Sequence, residues 1–232
     1  MTSNNYSGTF IVIEGIDGSG KATQLKKLKE YFEAKDTKVA TFDFPQYEKP
    51  SSYFVREYLN GRFGSFQEIG PHQASLFFAL DRFDAKKDIL SSLAKGQIVI
   101  SNRYVASNMA HQGSNLRDAA ERKKYYNWVN DLEFNILGIP KPDLNLILHI
   151  TPDISQKLID TKTTRKYIQN GAKRDMLESD FTHLANTEKI YQELCGLFPG
   201  WFKNIECMRA GNIIPPSEIH QEILSLVDKV IK

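Results

Sequence analysis

The stretch 13–24, IEGIDGSGKATQ, places Gly15, Gly18 and Gly20 ahead of Lys21, close to the phosphate-gripping pattern G-x-x-x-x-G-K-[ST]. Glycines there let successive backbone N–H groups converge on phosphate oxygens, while the next helix offers its positive end and the lysine reaches the terminal phosphates. The loop residues Gly15, Ile16, Asp17, Gly18, Ser19, Gly20, Lys21, Ala22 and Thr23 are therefore the expected nucleotide-phosphate cradle. Ala22 holds the place of a hydroxyl that usually helps bind Mg²⁺. Its loss removes one oxygen from a metal held mostly by phosphates and water, so the expectation is a site one ligand short. Asp17 sits beside those phosphates, which is costly without a neighbouring cation. This marks it for a task near the transferred group, Mg²⁺ included.

Two further sets of residues fit phosphate chemistry. Arg103 follows the apolar run 97–101, where a side chain projects over the carboxyl edge of a sheet. The basic run 160–175 carries Lys162, Arg165, Lys166, Lys173 and Arg174, cations suited to close over a polyphosphate.

The elements that must position these groups are legible in outline. The run Thr9–Glu14 reads as a strand buried on both faces, leading straight into the glycine loop, and Leu25, Leu28 and Phe32 recur at helical spacing after it. Further buried strands are expected at 38–42, 97–101, 144–150 and, more weakly, 204–208. Helices are expected at 53–59, 72–94, 116–137, 154–161, 176–194 and 217–231. Their alternation predicts an α/β fold: a P-loop NTPase-type parallel sheet of about five strands, flanked by helices on both faces, its ligands at the carboxyl ends of the strands.

The composition sets bounds on the rest. With 232 residues, 41% hydrophobic and 25% charged, the chain suits a single domain spanning 1–232. A net charge of +2 is too small for a nucleic-acid binder. Cys195 and Cys207 form no metal or disulfide pattern, and no apolar run reaches membrane length, so a cytosolic setting is expected.

Together with F-P-x-Y at Phe44, Pro45 and Tyr47, F-x-L-D-R at 78–82 and NRYVASNMAHQG at 102–113, the glycine loop resembles thymidylate kinases over most of the chain. The resemblance implies ATP as donor with Mg²⁺, dTMP as acceptor and a homodimer. It assigns Phe78 to stacking on thymine, Arg82 to the base, and Arg103 to the acceptor phosphate. Ser107, Asn108 and Gln112 fall near the nucleotide, Tyr47 near the acceptor phosphate, and Phe44 and Pro45 beside the base. The P-loop lacks the arginine that one branch of the family uses, so the run 160–175 is expected to act as a mobile basic lid, with Arg165 and Arg174 beside Lys21, Asp17 and Arg103 as catalytic groups. Asp175 and Glu178 match carboxylates just after that lid.

Three departures from the family pattern stand out. Gln46 replaces a frequent arginine, and Asn102 replaces the aspartate of D-R-Y, losing a charge. His111 replaces an aromatic residue that blocks a ribose 2′-hydroxyl; it is bulky, yet able to bond that hydroxyl instead. Deoxynucleoside or other monophosphate kinases, and a regulatory nucleotide binder without catalysis, are the alternative functions.

Overall fold

Every residue of the first strand, β1 (Thr9–Glu14), is buried in the computed structural model, which describes residues 6–160 and 180–231. Its centre, Phe10 to Ile13, is apolar because the strand has a parallel neighbour on each edge and cover on each face. Helix α1 (Lys21–Glu33) follows the glycine loop, then β2 (Val39–Asp43), α2 (Tyr53–Leu59), α3 (Phe66–Ile69), α4 (Pro71–Asp84) and α5 (Lys86–Ala94). The chain continues through β3 (Ile98–Asn102), α6 (Val105–Ser107), α7 (Ala119–Asn130), β4 (Leu144–His149), α8 (Pro152–Asp160) and α9 (Phe181–Leu197). It ends with β5 (Phe202–Glu206), a two-residue-loop hairpin of β6 (Met208–Arg209) and β7 (Asn212–Ile213), and α10 (Pro216–Val227).

The expected five-stranded parallel sheet is present, in the order β2-β3-β1-β4-β5. Right-handed crossovers put α1 on one face, since β1 connects leftwards to β2, and the rightward connections on the other. The Nε2 of Gln24 in α1 donates to Pro216 O at 2.9 Å, tying α10 to the α1 face. Connections therefore leave the adjacent strands β1 and β3 in opposite directions. That reversal opens a crevice at their carboxyl ends, between the glycine loop after β1 and Arg103 after β3.

Four expectations about elements need correction. The run 38–42 is not a fully buried strand but the sheet edge β2, in which Thr41 and Asp43 are exposed. The helix over 72–94 breaks at buried Ala85, with no glycine or proline to announce it. Tertiary anchors decide there: Arg82 is fixed to Glu133 before the break, and Lys86 Nζ donates to Leu137 O at 2.8 Å after it. The helix over 116–137 starts only at Ala119, capped by Asp118 through Glu121 N, and ends in a π-helical turn over Asp131–Ile136. The last helix stops at Val227 rather than 231. The expected start of the helix at 176 and the whole of 161–175 lie outside the described residues.

Candidate active site

The glycine loop is a place where side chains do not fit. Gly15 and Gly18 have φ of 134° and 81°, and a Cβ on them would stand 2.6 Å from Leu148 O and 2.9 Å from Ser155 O. Both glycines are thus required by β4 and α8 pressing against the loop. Ser155 reinforces the contact by donating its hydroxyl to Asp17 O. Lys21, 7% exposed, curls back so that Nζ donates to Gly15 O and Ile16 O at 2.9 and 2.8 Å, holding the ammonium over the loop. Asp17, Gly18, Ser19, Gly20, Lys21, Ala22 and Thr23 line a cavity of about 820 Å³, while Gly15 and Ile16 are buried outside its lining.

Arg103 is the hub of that cavity. Its φ of 63° is a left-handed conformation that costs an ordinary residue about 1–2 kcal/mol. Neighbours over-determine it: Arg103 N donates to Ile13 O at 2.9 Å, Ser101 Oγ to Arg103 O at 2.7 Å, and Tyr104 N to Glu14 Oε1 at 2.7 Å. The turned backbone sends the guanidinium into the crevice, where Nη2 meets Asp17 Oδ1 at 2.8 Å and Nη1 meets Ser107 Oγ and His111 Nε2 at 3.2 and 3.0 Å. Burial works against the charge, but Asp17 first, with Glu14, holds the pKa above its ordinary value. Arg103 is a fixed cation.

Glu14, fully buried at the end of β1, supports this hub and escaped the sequence reading. Burial pushes its pKa up, opposed by Arg103 and by donors. It accepts from Tyr104 N, Ser107 N, Ser107 Oγ at 2.7 Å and Tyr191 OH at 3.0 Å. Ser107 is accordingly tied to Glu14 and Arg103 as well as lining the cavity.

The other end of the cavity brings Phe44, Pro45, Tyr47, Phe78, Arg82 and Asn108 together with His111 and Gln112. Phe78 is half-buried, its ring held by the edge of Tyr58 at 6.1 Å between centroids. Arg82 is 2% exposed: Nε and Nη2 both donate to Glu133 at 2.6 Å, leaving Nη1 outside the fork. Burial would lower its pKa; the adjoining carboxylate raises it instead. Asn108 Nδ2 donates to the same Glu133 at 2.9 Å, so one buried carboxylate positions both. Glu133 had no sequence signal, because a glutamate in a polar helix reads as surface. Asn108, His111 and Gln112 lie on a π-helical turn, Asn108–Gln112, and Gln112 Oε1 is buried without a partner. Gln46, where the family often has arginine, ties its loop to α4 by donating from its side-chain Nε2 to Asp81 O at 2.9 Å.

Beside the glycine loop the same cavity has an apolar wall of Ile150, Leu158, Cys207, Ile213, Pro216 and Ile219, suited to a base and unforeseen in the sequence. Between the ends, Asn102 Nδ2 donates to Asp43 Oδ1 at 2.8 Å and its Oδ1 is buried without a partner. An aspartate at 102 would set two carboxylates face to face. Among the described residues no group of three or more acidic, histidine or cysteine side chains could hold a metal unaided. The oxygen donors Asp17, Asp43 and Asn102 Oδ1 nevertheless fit a hard cation that takes its other ligands from phosphate and water. Lys162, Arg165, Lys166, Lys173, Arg174, Asp175 and Glu178 lie outside the described residues.

The family model for thymidylate kinase matches residues 13–214. Thymidylate kinase of Mycobacterium tuberculosis is 35% identical over 192 residues, covering 82% of this chain and 86% of that one. A probable thymidylate kinase of Pyrococcus horikoshii is 32% identical over 222 residues, 95% and 96% of the two chains. The fold is shared with the thymidylate kinase structure from Candida albicans, at a TM-score of 0.70 and 20% identity over 97% of this chain and 93% of that one. The family match takes in the glycine loop, Arg103 and the residues around Phe78 and Asn108, and the chain belongs to the thymidylate kinase family.

Proposed function

We propose that the chain is a dTMP kinase, moving the γ-phosphoryl group of ATP to dTMP and releasing dTDP and ADP. The observation that carries this is one cavity lined by both Lys21 and Arg103, the Arg103 guanidinium paired with Asp17 of the glycine loop. Phosphoryl transfer asks little covalent chemistry of a protein, so two anions must be aligned and their charge met by fixed cations. In this reading the loop N–H groups and Lys21 take the donor phosphates, and Arg103 takes the acceptor phosphate. Phe78 stacks on thymine, Phe44 and Pro45 wall the base, Tyr47 approaches the acceptor phosphate, and Arg82 and Asn108, fixed through Glu133, meet the base edge. Mg²⁺, when bound, neutralises charge on the phosphate oxygens, with Asp17, Asp43 and Asn102 as its protein-side oxygens. Arg165 and Arg174 of a basic lid over 160–175 supply further charge.

A homodimer is part of the proposal. Leu76, Leu80 and Phe83 form one exposed stripe of α4, beside exposed Tyr53 and Phe54 of α2, an apolar face that suits a second copy. Among the described residues no helix is long and apolar enough to cross a membrane. The free cysteines Cys195 and Cys207 support a cytoplasmic setting, and the small net charge argues against a nucleic-acid partner.

Coupled ADP release over a panel of monophosphates tests the function. dTMP is the best acceptor, and dUMP is slower by about 10–200-fold, the worth of about 1–3 kcal/mol for one lost methyl contact. AMP or CMP outrunning dTMP contradicts the assignment. Silence with every acceptor returns the chain to a non-catalytic nucleotide binder.

A further inference from the structure

Behind Arg103 lie two histidines 72 residues apart in sequence, His111 and His183, only 9% and 4% exposed. Their hydrogen bonds can run only one way. An arginine donates and never accepts, so His111 Nε2, 3.0 Å from Arg103 Nη1, is the acceptor. The His111 proton is then on Nδ1, which donates to His183 Nε2 at 3.3 Å. That in turn places the His183 proton on Nδ1, donated to Ser114 Oγ at 3.1 Å, and the Ser114 hydroxyl closes the ring on His111 O at 2.7 Å.

The surroundings keep both rings neutral. His111 faces Arg103, His183, Asp17 and Lys21, and His183 faces Asp17 and Asp180; for both, burial is the largest influence and lowers the pKa. Thr187 Oγ1 lies 3.4 Å from His183 Nε2, and the His183 ring stands edge-to-face with Phe66 at 4.6 Å.

We propose that His183 is a positioning residue: it holds His111 as the Nδ1–H tautomer, so that Nε2 accepts from Arg103 and keeps the guanidinium aimed at the acceptor phosphate. The identity of that phosphate rests on the dTMP kinase reading; the hydrogen-bonded ring does not. One consequence concerns the sugar. With both His111 nitrogens engaged, His111 acts on a ribose 2′-hydroxyl by bulk and not by bonding it.

Two-bond ¹H–¹⁵N spectra of the whole protein at neutral pH test the tautomer directly. His111 shows a protonated Nδ1 and a bare Nε2; an Nε2–H ring or an imidazolium overturns the proposal. In kinetics, His183→Leu raises the acceptor KM about 10-fold or more, the worth of a lost hydrogen bond to a charged group, with the ATP KM unmoved. His183→Gln, whose Oε1 can accept the Nδ1 proton, recovers most of that loss. An unchanged acceptor KM in folded His183→Leu, or a glutamine variant no better than leucine, overturns it. Absent turnover with any monophosphate defeats the functional reading alone, and the imidazole spectrum then decides the relay.

Discussion

Position 22 carries a methyl group where a metal-binding hydroxyl is usual, and the side chain is exposed at the cavity wall with room for one more atom. Ala22→Ser is therefore expected to keep full activity and to saturate at lower Mg²⁺, read from the Mg²⁺ dependence of turnover. Complete loss of activity contradicts a site that is one ligand short. Arg103 teaches a related lesson. Its place at the crevice was legible from the buried strand before it, yet its aim comes from a left-handed backbone that three neighbouring hydrogen bonds impose. The sequence marks a cation for the crevice, while only the packed structure shows why it points there. Glu14, Glu133 and His183 were illegible for the same reason: each acts through contacts made across 25 residues or more.

Between elements, the buried pair Arg82–Glu133 fastens α4 to the π-helical turn after α7. Removing one partner strands a charge, so Glu133→Leu costs about 3–5 kcal/mol in denaturant unfolding. Arg82→Met with Glu133→Leu regains most of that stability, because no lone charge remains, but loses the polar contact proposed for the acceptor base. A double-substituted protein as unstable as Glu133→Leu would contradict this. Helix α9 carries a second test through His183, whose burial lowers its pKa from 6.5 to about 4. The unfolded chain binds that proton first as pH falls, so the stabilisation is complete above pH 6.5 and is lost progressively as pH drops through about 4. The full effect is about 3 kcal/mol, seen as a falling urea midpoint that His183→Leu makes less steep over the same window, the buried His111 keeping its own share. Strands and most helices were readable because their periodicity is local. The break at Ala85 and the exposed edge β2 were not, since sheet order and long-range anchors decide them.

For the whole molecule, the apolar stripe on α4 predicts association. Leu80 is 48% exposed at its centre, and Leu80→Glu is expected to convert a dimer to a monomer in sedimentation velocity, with the fold intact. A wild-type protein that sediments as a monomer at all concentrations contradicts the proposed dimer. The topology that brings the two walls of the cavity together was foreseen from the alternation of strands and helices, and the apolar wall beside the glycine loop was not, because Ile150, Cys207, Ile213 and Ile219 converge only when the segments after β4 and β5, β7 and α10 assemble. In the proposed reaction one cavity aligns ATP with dTMP, and Lys21 carries charge from the transferred group. This is tested most directly by separating and counting the nucleotides formed from ATP and dTMP by the wild type and by Lys21→Ala. The wild type yields dTDP and ADP in equal amounts, and Lys21→Ala, still folded and still binding dTMP, is slowed by about 10²–10³-fold. ADP formed without dTDP, or dTDP formed at an undiminished rate by Lys21→Ala, contradicts the account.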